Sequence, residues 1–180
     1  MDADSDLLPA ALNPPGEQEI DHAFRENYAR IARVIARVIG NRGRAEELAV
    51  EAFLRWWHRT GARGQGAGKW LYRVAVRIAI DELRRETRRA RSERLMTSSA
   101  QPVDTPEDVE RSSQTRRRVR IVLSTLSRRN AALLILRSEG LTYQDVAAAL
   151  GLNPASVGTL ISRAQRAFRD EYVRRYESPV

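Results

Sequence analysis

From Phe24 onward the apolar residues of this 180-residue chain recur at steps of three and four, and no stretch alternates with a period of two. Such spacing gives each segment one apolar stripe and leaves nothing to pair as a sheet, so the fold class is all-α. Phe24, Tyr28, Ile31, Ile35 and Val38 mark a first helix, and Gly40-Asn41 stops it. A second helix fits Arg44 to His58, with Ala45, Leu48, Ala49, Ala52, Phe53 and Trp56 on one face. After a glycine-rich turn at Gly61, Gly64, Gly66 and Gly68, the longest helix runs from about Lys69 to Arg94 and turns Leu71, Val74, Ala75 and Ile78 inward. Its C-terminal half is a row of cations: Arg84, Arg85, Arg88, Arg89, Arg91 and Arg94.

The glycine-rich turn lies beside Lys69, but it is not a phosphate loop. Arg63 stands where a Walker loop needs its first glycine, and Trp70 stands where it needs a hydroxyl. A connection between two helices is the reading that remains.

The most specific local signal begins at Leu141. Thr142 with Asp145 three residues on approximates a capping box and opens a helix over Tyr143 to Leu150, which Gly151 ends. Asn153 can cap the next helix, with Pro154 at its first position, where a missing N–H costs nothing. Ala147, Leu152, Val157 and Ile161 fall where two short crossing helices bury them. This is the pattern of a helix-turn-helix, although helical hairpins that never touch DNA share it. If the second helix enters a major groove, its outward residues Ala155, Ser156, Thr159, Arg163 and Arg166 form the DNA face. Helices over Arg116 to Leu126 and Arg129 to Ser138 complete a four-helix domain. Phe168, Tyr172 and Tyr176 extend the last helix at four-residue spacing, as packing or a partner contact.

Charge divides the chain in the same way. Residues 1–21, 22–94, 95–110 and 111–180 carry net charges of −6, +10, −4 and +8. Two basic blocks thus flank an acidic spacer, and every base but Lys69 is arginine. Basic blocks serve polyanions, nucleic acid first and an anionic membrane surface second, or simply form solvated helix faces. The spacer from Met96 to Glu110 carries two prolines and Ser/Thr clusters, which reads as a flexible linker. The expected organisation is a disordered acidic tail over 1–18, a helical domain over 19–94, a linker over 95–111 and a second helical domain over 112–176. With no cysteine and only His22 and His58, thiolate sites and histidine-rich metal clusters are excluded. No cofactor is expected, and no pair of acids, histidine pair or nucleophile constellation suggests an enzyme. Residues 1–21 lack the apolar core of a signal peptide, and no apolar run approaches the roughly 20 residues that cross a bilayer. A cytoplasmic protein without membrane insertion is the expectation.

Three motifs carry a family resemblance. Trp70-Leu71-Tyr72-Arg73-Val74-Ala75, followed by Ala79-Ile80-Asp81 and Leu83-Arg84-Arg85, resembles the WLYRIA…A-x-D-x-LRR signature of bacterial sigma factors of the extracytoplasmic-function (ECF) type. Ala45-Glu46-Glu47-Leu48 and Glu51-Ala52-Phe53-Leu54-Arg55 resemble that family's AEDLVQEVFLR stretch. Gly140 to Ala147 resembles its EGLSYEEIA opening, and Arg163-Ala164 its closing RA. The match covers about residues 20–94 and 112–172, the family's regions 2 and 4, in the right order.

The resemblance implies a promoter-specificity subunit of RNA polymerase with no chemistry of its own. Its partners would be core RNA polymerase, promoter DNA and an anti-sigma factor. The helix over Arg44 to His58 would dock on the clamp of the polymerase's largest subunit, which nominates Glu47, Leu48, Glu51, Phe53 and Trp56. Leu48, Phe53 and Trp56 equally suit the core of their own domain. The next helix would bind the minus-ten element through Lys69, Arg73, Arg77, Arg84 and Arg85, where Trp70 and Tyr72 are the aromatics available to stack unpaired bases. Region 4 would read the minus-thirty-five element through Ala155, Ser156, Thr159, Arg163 and Arg166.

Several positions depart from the family pattern. Gly158 and Leu160 stand where the family commonly has cations, Val50 where it has Gln, and Arg77 where it often has Asn. Two other classes remain: a helix-turn-helix regulator that acts without core polymerase, and a diverged sigma-like interaction module. The first would leave the WLYRVA helix without a role.

Overall fold

A computed structural model describes residues 17–58, 67–96 and 107–177, and those residues form seven helices with no strand among them. They are α1 (Glu17–Ile39), α2 (Arg42–Trp57), α3 (Ala67–Met96), α4 (Glu107–Thr125), α5 (Arg128–Ser138), α6 (Tyr143–Leu150) and α7 (Pro154–Tyr176). Residues 1–16 of the expected acidic tail over 1–18, most of the glycine-rich turn and residues 97–106 of the expected linker lie outside the described residues, while Glu17 and Gln18, expected in the tail, open α1. Gly68 instead lies inside α3, where an added Cβ would sit 3.2 Å from the Asn27 side-chain oxygen.

Helices α1, α2 and α3 pack on one another as an N-terminal bundle. Its centre is the stripe that period and composition select: Ile31, Val34, Ile35, Ala45, Ala49, Ala52, Trp56, Leu71 and Ala75 are all essentially inaccessible. Gly40 closes α1 in the left-handed region, φ 77°, which a residue with a Cβ adopts only at a cost. Asn41 then caps α2 by accepting a hydrogen bond from the Arg44 amide at 3.0 Å.

Helices α4 to α7 form a C-terminal bundle around Val122, Leu133, Leu136, Val146, Val157 and Ala164. The two helix limits beside the acidic spacer differ from the expected ones. Helix α3 continues to Met96, and α4 starts at Glu107, nine residues before the expected Arg116. Glu107, Asp108 and Glu110, counted as linker from their charge, are residue types that suit a helix N-terminus facing the dipole's positive end. What separates the helices is therefore only 97–106.

Helix α3 belongs to both halves. It packs on α1 and α2 along one side and on α4, α5 and α6 along another. It is the spine through which the bundles meet.

Candidate nucleic-acid interface

The orientation of α7 is set by local chemistry on either side of the turn. The Thr142 hydroxyl accepts from the Asp145 amide at 3.1 Å and donates to the Asp145 carboxylate at 2.7 Å, closing the expected box with Asp in place of Glu. That hydroxyl holds the Asp145 carboxyl below its ordinary range, with Lys69 adding to the effect. Gly151 ends α6 in the left-handed region at φ 66°. Asn153 accepts from the Ala155 amide at 3.0 Å, and Pro154 opens α7.

With both ends fixed, α7 turns Val157, Ile161 and Ala164 inward. Ala155, Ser156, Thr159, Arg163 and Arg166 are all exposed and share the opposite side. This is a convex face of small and hydroxyl residues followed by two guanidinium groups, able to lie in a groove with its cations toward phosphate. Two of the departures have a visible structural setting. At Gly158 an added Cβ would lie 3.3 Å from the Tyr143 ring, which would have to give by a few tenths of an ångström. Leu160 is half-buried and packs against the core, a place unsuited to a charge.

Phe168 stacks on Tyr172 at 6.1 Å, Tyr176 meets Tyr172 at a tilt at 5.3 Å, and the Arg118 guanidinium lies over Tyr176 at 5.0 Å. Beside them, Val119, Leu123 and Leu134 complete an apolar groove between α4, α5 and α7, which the sequence reading did not identify.

The five cations nominated on α3 do not form one free surface. Lys69 lies 3.7 Å from the Asp145 carboxylate. Arg73 donates to the Ala149 carbonyl and, at 3.0 Å, to that of Ala148. Arg84 donates to the carbonyls of Ser124 at 3.2 Å and Leu126 at 2.5 Å. Arg85 is paired with Glu82, and Arg77 lines a small cavity with Arg128 and Arg129. Tyr72 is buried and Trp70 half-buried against the core, so neither offers a free ring to a base.

On α2, Leu48, Phe53 and Trp56 are 2%, 5% and 0% exposed. Burial takes these three out of the set that can touch a partner. Glu47 is exposed and paired with Arg44 at 2.7 Å, and Glu51 is half-buried and paired with Arg55 at 2.5 Å. The apolar residues that α2 does present are Val50, Leu54 and Trp57, each more than 40% exposed. Their spacing of four and three is a second stripe, legible in the sequence but hidden there by the stronger one. This second stripe lies beside the acids Glu47 and Glu51 on the same helix.

Glu82 ties α2 to α3. Nearly buried, it accepts from Arg44 at 2.8 Å and from Arg85, and chiefly the Arg44 bond holds its carboxyl below the usual range. Glu86, one turn on, is pushed upward by burial and by the charge of Glu82. Among the described residues no three metal-ligating side chains cluster, and no helix is long and apolar enough to cross a membrane.

Comparison with known proteins assigns both bundles. Sequence profiles of sigma-70 region 2 and sigma-70 region 4 match residues 23–89 and 116–167. A probable RNA polymerase sigma factor, RfaY of Xanthomonas campestris, is 29% identical over 87% of this chain and 40% of its own length. The ECF sigma factor SigE of Mycolicibacterium smegmatis is 28% identical over 88% and 63%. The chain thus spans less than two thirds of these two relatives. The ECF sigma factor SigK of Mycobacterium sp. strain KMS is 32% identical over 83% of this chain and 82% of its own. Among solved structures, the sigma factor RpoE, crystallised with the anti-sigma factor NepR from Bartonella quintana, shares the fold. The TM-score is 0.51 at 15% identity, over 86% of this chain and 96% of that one.

Proposed function

The chain belongs to the ECF-type sigma factors of the sigma-70 family, and from that premise we propose that it is a non-catalytic subunit that directs core RNA polymerase to promoters in the cytoplasm. The observation that carries the reading is the outward face of α7, where Ala155, Ser156, Thr159, Arg163 and Arg166 stand exposed on a helix locked by caps at its start. This face reads the minus-thirty-five element. The cations of α3 hold the minus-ten element, with Lys69, Arg73, Arg77, Arg84 and Arg85 on phosphate. Helix α2 docks on the clamp of the polymerase's largest subunit through Val50, Leu54 and Trp57, flanked by Glu47 and Glu51. Region 2 ends with α3 and region 4 begins with α4. An anti-sigma partner belongs to the same reading, supported by the neighbour that was crystallised with one.

A second reading keeps the polymerase or anti-sigma contact but not promoter recognition. Gly158 and Leu160, which remove two family cations from the recognition helix, favour it.

Run-off transcription from genomic fragments, with core polymerase from the source organism and with or without this protein, separates the readings. Protein-dependent initiation at defined sites is the expected result. Co-purification with core without initiation would support the interaction module. Operator binding with no core association would overturn both in favour of an independent regulator.

A further inference from the structure

A cavity of about 750 Å³ opens between α3, α4 and α7, and five arginines line it: Arg91 from α3, Arg117 and Arg120 from α4, and Arg174 and Arg175 from α7. We propose that this cavity is a binding site for a small oligophosphate, a ligand of two or more linked phosphates whose charges the guanidinium groups share. None of the five arginines belongs to the faces assigned above to promoter DNA or to core polymerase, so the site stands apart from the sigma reading.

Helix geometry explains only part of this cluster. Arg174 and Arg175 lie in the last turn of α7, where the dipole favours cations, and both are paired with Glu171. Arg117 and Arg120 have no such reason. They sit in the interior of α4, three residues apart, so both project from one side of the helix, where like charges oppose each other. Among the described residues, no ion pair joins Arg91, Arg117 or Arg120 to a carboxylate.

The wall of the cavity is also held in shape. Gly40 ends α1 beside the Arg120 guanidinium, so closely that a Cβ on it would lie 2.6 Å from Nη1. The bare backbone at that turn leaves the room in which Arg120 lies. Tyr176, also on the wall, meets Tyr172 at 5.3 Å and carries the Arg118 guanidinium over its ring at 5.0 Å. Glu86 is the one carboxylate that lines the cavity among the described residues, and burial and the Glu82 charge push it upward against the pull of Arg120 and Arg44.

The number and placement of the cations select the ligand. Five planar forks, each able to hold two phosphate oxygens, exceed what one phosphate can engage. Linked phosphates bring several charges within the length of one small molecule, and the volume falls in the range of small-ligand sites. The arginines stand around a concavity bounded by three helices, whereas a duplex is read by a convex face such as that of α7. Because they come from both bundles, one bound ligand joins α3 to α4 and α7 and should stabilise the whole chain.

The test titrates the full chain with sodium tripolyphosphate at fixed ionic strength, followed by calorimetry. Saturable binding at a single site is expected, together with a rise in thermal midpoint. Arg117→Ala and Arg91→Ala, both at exposed positions, should each weaken binding about tenfold without moving the midpoint of the free protein. Arg25→Ala removes a charge on α1 about 22 Å of helix away from Gly40, and should leave the affinity unchanged. Glu86→Gln removes the opposing carboxylate and should tighten binding. A nucleoside triphosphate held more tightly than tripolyphosphate would assign the site to nucleotides, and equal affinity would assign it to the phosphate chain alone. Absence of saturable binding, or an equal loss with Arg25→Ala, would overturn the site. A triglutamate peptide binding as tightly would overturn it in favour of a general anion patch. Short duplex DNA losing as much affinity with Arg117→Ala would overturn it too, by making these arginines part of the DNA surface. Failure of run-off transcription would instead strike the sigma reading and leave the measured affinities as they stand.

Discussion

Region 2 and region 4 reach a functional face by different physical routes. In region 4 the helix that matters is fixed by its own neighbours: Gly151, Asn153 and Pro154 lie within four residues of Ala155, where the face begins, and Thr142 within thirteen. In region 2 the faces of the working helices are assigned by what packs on them from far along the chain. Trp56 is buried while Trp57 beside it is 42% exposed. Arg73 finds its carbonyls about 75 residues away. Local chemistry orients a side chain reliably from sequence, whereas a tertiary seam can reassign a face altogether.

The sharpest way to break this contrast is on α2, where one stripe is core and the other is surface. Trp56→Ala removes the largest fully buried side chain and should cost about 3 to 5 kcal/mol, seen as a large fall in the thermal midpoint. Leu54→Ala should leave that midpoint within about 0.5 kcal/mol of the reference while weakening co-purification with core polymerase. If Leu54→Ala unfolds the protein or binds core normally, the division of α2 into two stripes is wrong.

Next in size is the Arg44–Glu82 contact, which joins α2 to α3. Glu82→Gln should destabilise the protein by about 2 kcal/mol at neutral pH, because a nearly buried acceptor for two arginines loses its charge. The carboxyl is held below its ordinary value of 4.5. Its contribution is therefore full above that value and is lost as pH falls through the lower value of the folded state. Denaturant titrations should show the variant's deficit vanishing in acid. Glu86 has the opposite sign: its raised carboxyl costs stability as pH rises through the folded-state value, so Glu86→Gln should stabilise at neutral pH. Matching pH profiles for the two variants would contradict the environments described for them.

These cases mark what the sequence could carry. The all-α class, the helix-turn-helix and the exposed side of α7 were legible because period and caps are local. Leu48, Phe53 and Trp56 were nominated for a partner because the family resemblance gives their helix that task, but the stripe they form is the strongest on α2, and the strongest stripe is the one the bundle buries. Val50, Leu54 and Trp57 were missed for the same reason. The α3 cations were read as one open face because nothing in their spacing reveals that the ends of α4 and α6 will meet them. The start of α4 was misplaced because acids in a first turn and acids in a linker have the same composition.

Arg163 tests the local half of the contrast. It is exposed on α7 and takes no part in the seam, so Arg163→Ala should reduce promoter-dependent initiation about tenfold, about 1.4 kcal/mol, with core binding and thermal midpoint unchanged. Loss of core binding instead would mean that α7 is not the recognition helix.

Gly158 should give the smallest effect, and its sign is informative. Alanine is better than glycine inside a helix by roughly 1 kcal/mol, and Gly158 has no left-handed backbone to protect. Against this, the new Cβ would lie 3.3 Å from the Tyr143 ring, which must give by a few tenths of an ångström. Tyr143 is 47% exposed, with the Arg137 guanidinium over its ring at 5.6 Å, so one side of it is open to solvent. The ring can yield, and Gly158→Ala should stabilise region 4 by something under about 1 kcal/mol, read as a small rise in the denaturation midpoint. A fall would mean that the α6–α7 crossing cannot open even slightly. Gly158 would then be a packing requirement of this particular turn, and the cation missing from that position would follow from Tyr143 rather than from any loss of promoter recognition.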